Sequence, residues 1–228
     1  MPRTRRLVIA ASVAAVTALG GAAAADAATV TVDHPCYFRT NSTGQRVHFS
    51  LAGFTPNAPI TVRFGGRTLT GKVRPDGTQS GYFSAPSLRF RQQRFAMSAS
   101  DGVNNSSVTV NVTKVLGDFT PSSGRPETLK AHFLVQGLGA VLDYLHRSPR
   151  GTVYAHYIRP NGKLKANRAI GSLSGVCGSL RTGKIRLLPY PSELGSWRVY
   201  LDTNPTYKRR EVAQVLIGFT VRAVFRRR

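Results

Sequence analysis

Residues Gly53 to Pro86 read GFTPNAPITVRFGGRTLTGKVRPDGTQSGYFSAP, and this stretch decides the fold. Ile60-Thr61-Val62-Arg63-Phe64 alternates apolar and polar residues, which places Ile60, Val62 and Phe64 on one face of a strand and Thr61 and Arg63 on the other. Gly65-Gly66 supplies the positive φ angles of a two-residue hairpin turn, and Arg67-Thr68-Leu69-Thr70 begins the return strand. Pro75-Asp76-Gly77 repeats the turn signal: proline presets its own φ, aspartate bonds the backbone ahead of it, and glycine turns left-handed. The stretch reads as a set of β-hairpins. It specifies architecture and no chemistry.

The same period of two continues on either side. TVTVDH opens at Thr29, and Gln45 to Leu51 alternates with Val47, Phe49 and Leu51 inward. Beyond Pro86, Phe95, Met97 and Ala99 alternate, a DGVNN turn follows, and Val108, Val110 and Val112 share one face of the next strand. About seven short strands separated by turns, with no helical pattern between them, describe an antiparallel sandwich over residues 29–115. GFTPNAPITVRFGG, the PDG turn, GYFSAPSL and ASDGVNNSSVTVNV together resemble the bacterial Ig-like or IPT-like surface domains, in which a GFxP segment precedes the middle strands. The resemblance implies a structural or interaction module at the cell exterior and carries no catalytic set.

VLGDFTPSSGRPETL reads as a linker or the entry to a second domain, with the boundary near Leu116 and a second β-sandwich domain over 116–228. There Lys130 to Val135 and Thr152 to Ile158 read as strands, the latter ending at a Pro160-Asn161-Gly162 turn. GLGAVLDYLH between them fits a short helix or an apolar loop. Ser196 to Asp202 alternates with Trp197, Val199 and Leu201 on one face, and Val212 to Phe225 reads as a long final strand. GVCGSL and GSWRVYLDT are similar to C-terminal modules paired with Ig-like domains in secreted actinobacterial proteins, and that similarity transfers no site. The fold expected is all-β, two tandem antiparallel sandwiches, the first Ig-like.

At the start, MPRTRR followed by LVIAASVAAVTALGG and an alanine-rich segment has the layout of a secretory signal peptide over residues 1–28. The apolar run is shorter than the roughly twenty residues needed to span a bilayer, and no later stretch is long or apolar enough. The formal charge of +22 falls to +20 without the leader, and both halves of the remainder are basic. Such a field attracts polyanions. Cys36 and Cys177 are the only cysteines, and in an oxidising compartment they are candidates for one disulfide that would staple the domains, the alternative being two separate buried thiols.

Among candidate chemistries, none of His34, His48, His132, His146 and His156 stands in a metal-ligand spacing, so neither a metal site nor a cofactor is expected. Gly171-Ser172-Leu173-Ser174-Gly175 places leucine where a nucleophile elbow needs serine. An exported hydrolase in the second domain would draw on His156, Cys177 and Asp202, or on carboxylates among Asp143, Glu193 and Asp202. Polyanion binding draws on Arg159, Lys163, Lys165 and Arg168 around the hairpin, on Lys208, Arg209 and Arg210 beside Tyr207, and on Arg226, Arg227 and Arg228 beside Phe225. Export argues against nucleic acid as the partner and for an anionic cell-wall polymer or polysaccharide, with a merely solvated basic surface as the alternative. Asn41, Asn105 and Asn111 each begin a glycosylation sequon, and the bacterial style of the leader argues against their use. The expectation is therefore a non-catalytic structural or adhesive protein of the cell envelope.

Overall fold

The computed structural model describes residues 27–40, 43–121, 128–189 and 193–222. Residues 1–26 of the segment read as a leader, and Arg226 to Arg228, lie outside the described residues. The first half of the chain contributes β1 (Thr29–Val32), β2 (Cys36–Arg39), β3 (Arg46–Ala52), β4 (Pro59–Phe64), β5 (Arg67–Lys72), β6 (Gln79–Ser84), β7 (Gln92–Ser100) and β8 (Asn105–Lys114). One sheet has the order β1-β3-β6 and the other β2-β8-β7-β4-β5. Their pairings are antiparallel except for β2, which lies parallel to β8. The order β8-β7-β4-β5 facing β1-β3-β6 is the G-F-C-C′ and A-B-E arrangement of an immunoglobulin-type sandwich. Val47, Phe49 and Leu51 of one sheet meet Val62, Phe64, Met97 and Val112 of the other, all almost fully buried. Burial of each such side chain stabilises the fold by about 1.5–3 kcal/mol.

Gly65 and Gly66 turn β4 into β5 with φ of 56° and 80°, as a two-residue hairpin requires. The Pro75-Asp76-Gly77 turn corrects the reading of a second hairpin. It carries the chain from β5 in one sheet to β6 in the other, where β6 pairs with β3. The reason lies in side-chain burial: Val73 just before the turn is buried, and Phe83 in β6 reaches the core beside Phe49 and Phe64. All six residues of β5 are exposed, so a strand added beside it would have left Phe83 in water.

The second half contributes β9 (Leu116–Pro121), β10 (Lys130–Gln136), α1 (Leu138–Tyr144), β11 (Thr152–Ile158), β12 (Leu164–Ser172), β13 (Leu180–Arg181), β14 (Ile185–Arg186), β15 (Gly195–Asp202) and β16 (Val215–Val221). β10 pairs with β9 on one side and with β13 and β14 on the other, and the facing sheet has the order β12-β11-β15-β16. This repeats the strand order of the first sandwich, with α1 inserted between its second and third strands. Trp197, Val199 and Leu201 of β15 and Val153, Ala155 and Tyr157 of β11 pack on Phe133 and Val135 of β10. The two cores draw on residues 30–112 and 131–217 respectively.

Two segment readings are sharpened. Of the two alternatives for VLGDFTPSSGRPETL, Leu116–Pro121 is the entry to the second sandwich and not a linker: it is strand β9 in register with β10, and only Val115 separates it from β8. Its apolar positions explain this, since Phe119 stacks on both Phe133 and Phe219. The final strand begins at Val215 rather than Val212, because Val212 is 72% exposed in the preceding turn.

Candidate functional site

The junction of the two sandwiches is covalent. Cys36 of β2 and Cys177 in the turn between β12 and β13 form a disulfide, with Cα atoms 5.2 Å apart. Both cysteines are buried in a small cluster with Ala140 of α1, flanked by Phe38. The turn and the helix approach closely enough that a Cβ on Gly139 would stand 2.5 Å from the Cα of Gly178. The Gly139 N–H donates to the Gly178 carbonyl and the Ala140 N–H to the Cys177 carbonyl, each at 3.1 Å. Further contacts cross the junction: His34 bonds Asp143 through Nδ1 at 2.8 Å, and the Gln136 amide donates to Thr113 Oγ1 at 3.1 Å. The staple expected from the sequence is present, and the two-thiol alternative is not.

β11 and β15 bring His156 and Asp202 together, as the hydrolase reading requires of them. Both side chains are completely buried. His156 Nε2 meets Asp202 Oδ1 at 3.1 Å, and Nδ1 meets Asn167 Oδ1 at 2.8 Å. Both ring nitrogens are engaged, and the carboxylate of Asp202 favours the protonated ring. Burial alone would lower the pKa of His156, but the bonds to Asp202 and Asn167 outweigh it and hold it above its ordinary value. Asp202 Oδ1 also accepts the Asn204 N–H at 2.8 Å, while its Oδ2 is buried with no partner among the described residues.

The thiol part of that reading fails. Cys177 has its sulfur bonded to Cys36 and offers no thiolate. The three carboxylates named with it go to separate partners: Asp143 to His34, Glu193 to Arg159 and Asp202 to His156. His132 bonds the Thr182 carbonyl, and His48 packs on Tyr82.

What His156 and Asp202 support is a surface. On the outer face of the β12-β11-β15-β16 sheet, Tyr207 lies over His156 and Tyr200 with ring centroids 5.6 and 5.5 Å away. Burial chiefly raises the Tyr207 pKa, and nearby Arg209 and Arg198 pull against it. Lys208, Arg209 and Arg210 follow on the same loop, exposed and without an ion pair among the described residues. The loop is tied down beyond them by Glu211, which pairs with Arg147 at 2.7 Å. Tyr200 and Arg198 were not singled out from the sequence, although their alternation with Trp197, Val199 and Leu201 places them on this face.

The hairpin cluster stands elsewhere. Its turn closes through the Arg159 N–H to the Lys163 carbonyl at 2.9 Å, next to the β11–β15 pair of Ile158 with Arg198. The 208–210 loop leaves β15 at its opposite end, after Asp202. Arg159 is engaged by Glu193 at 3.1 Å, and Arg168 donates to the Arg186 carbonyl at 3.1 Å with its guanidinium over Tyr157. Lys163 is exposed and Lys165 half-buried, so the hairpin offers lysines rather than free arginines.

No protein-family model matches the chain, and no curated protein matches it in sequence. Among solved structures it is similar to bovine butyrophilin, with 7% identity and a TM-score of 0.33, covering 86% of this chain and 99% of that one. It is also similar to a Ca²⁺-stabilized, ice-binding adhesin of an Antarctic bacterium, with 12% identity and a TM-score of 0.32, covering 86% of this chain and 47% of that one. Tandem Ig domains of titin give 12% identity and a TM-score of 0.28 over 84% of this chain and 94% of theirs. Scores this low carry no argument, and the architecture rests on strand order.

Proposed function

We propose that this chain is an exported, non-catalytic attachment protein of the cell envelope, made of two sandwich domains, 29–115 and 116–228, that holds anionic wall polymer or acidic polysaccharide on the basic loop of the second. The observation that carries the reading is the anchored loop itself: Lys208, Arg209 and Arg210, without an ion pair among the described residues, stand beside the Tyr200–Tyr207 pair, over a buried His156–Asp202 pair. Aromatic rings next to exposed cations suit a chain of anionic repeats, because the cations supply Coulomb attraction and the rings supply contact area. The bridge between Cys36 and Cys177 supports an oxidising, exterior setting. Among the described residues no helix is long and apolar enough to cross a membrane.

The test is retention on immobilised polygalacturonate at low and at high salt. The parent protein binds at low salt and loses at least about tenfold in affinity toward molar salt, as screened charges must. Replacing Lys208, Arg209 and Arg210 together by Ala flattens that salt dependence. Equal retention by parent and triple variant contradicts the assignment to this loop. The hydrolase alternative has no comparable support, since its thiol is bonded and its histidine and aspartate are buried.

A further inference from the structure

A cleft of about 520 Å³ opens where the two sandwiches meet, away from the basic loop. Its walls include Phe38, Gln45, Arg46 and His48 from the first half and Tyr144 of α1 from the second. Phe38 and Tyr144 meet edge to face with centroids 5.6 Å apart, and Tyr144 is 51% exposed. Gln45 is only 8% exposed. Its N–H donates to the Phe38 carbonyl, and its Oε1 accepts the Phe38 N–H at 3.0 Å, which fixes the oxygen and leaves Nε2 as the free end. That Nε2 is buried without a hydrogen-bond partner. An amide donor kept dry and unmatched destabilises the fold, and an arriving acceptor would recover that cost.

Asp33 also lines the cleft, with one oxygen accepting the Tyr37 hydroxyl and the other 3.6 Å from His34. Arg46 lies over the ring of Tyr82 at 4.8 Å, and His48 packs on the same ring. The cleft therefore combines an exposed aromatic platform, a carboxylate acceptor, a cationic rim and one orphan amide donor. We infer that it binds the acetamido sugar of a glycan strand. The ring would stack on Tyr144, its acetamido carbonyl would accept from Gln45 Nε2 once the groups covering that atom draw aside, and its hydroxyls would donate to Asp33. A plain hexose offers the stacking face and hydroxyls but no carbonyl for the buried donor. This site is independent of the basic loop and works without net charge on the ligand.

The experiment is calorimetric titration of the oxidised protein with chitotetraose and with cellotetraose, which share linkage and length but differ in the acetamido group. Chitotetraose binds at least about tenfold more tightly, and its affinity is unchanged between low and high salt because neither sugar is charged. Gln45→Glu keeps the acceptor for the Phe38 N–H and removes the donor, so it abolishes the preference. Tyr144→Ala weakens both sugars by about tenfold. The Lys208, Arg209 and Arg210 triple variant binds like the parent, so failure of the anionic-polymer reading and failure of this one are separate results. The inference is overturned if neither sugar binds, if both bind equally, or if Gln45→Glu with an unchanged melting temperature keeps the preference.

Discussion

Cys36 and Cys177, 141 positions apart in sequence, are bonded at the point where β2, α1 and the turn after β12 converge. Cross-linking a loop of that length removes chain entropy worth about 5 kcal/mol from the unfolded state. Replacing both cysteines by Ala therefore lowers unfolding free energy by several kcal/mol, measured by denaturant titration. Reductant produces the same loss in the parent and none in the double variant.

Gly139 and Gly178 set how closely the helix and the disulfide turn approach. A Cβ on Gly178 would collide with the Gly139 backbone, and its φ of 60° is strained for other residues. Gly175 in the same turn has a φ of 72° but nothing within 4 Å of its Cβ. Gly175→Ala is expected to cost about 1–2 kcal/mol for the backbone alone. Gly178→Ala costs at least about 3 kcal/mol, because backbone atoms rather than a side chain must move. Thermal melts of the two variants compare them directly.

His156 makes stability depend on pH in a defined sense. Its folded pKa lies above the ordinary 6.5, so its contribution is fully present below that value and is lost as pH rises through the folded one. The parent is thus expected to lose stability relative to His156→Gln as pH climbs from 6.5 into the alkaline range, read from melting temperatures. An unchanging difference between the two proteins contradicts a raised pKa for His156.

Asp101 acts in the opposite direction. Burial would raise its pKa, but the backbone N–H groups of Asn104, Thr55 and Val103 hold the carboxyl well below the usual range. Its stabilisation is present above the ordinary value of 3.8 and is lost as pH falls toward the folded one. Asp101→Ala frees three N–H groups around the turn after β7 and costs about 2 kcal/mol at neutral pH. The loss should shrink in acid, where the parent carboxylate is itself being protonated.

Local period and turn chemistry made most of the strands legible. Ile60, Val62 and Phe64 alternate because one face is buried, and Gly65-Gly66 can hardly do anything but turn. Partner choice is not local, which is why Pro75-Asp76-Gly77 read as a hairpin yet joins two sheets: what decides it is where Phe83 finds a core, across the sandwich. The same limit explains the sites. The basic residues at 208–210 were visible as a run, but the Tyr200–Tyr207 floor beneath them needs a loop folded back on its sheet. The cleft at Gln45 needs Tyr144, brought in by a junction that no single segment encodes.

Intact mass of the protein secreted by its own host, alkylated with and without prior reduction, reads the proposed export and the Cys36–Cys177 bridge together. The expected result is a mass lacking the leader and no alkylation until reductant is added, then two alkyl groups. A mass that retains the leader, or two thiols alkylated without reduction, contradicts it.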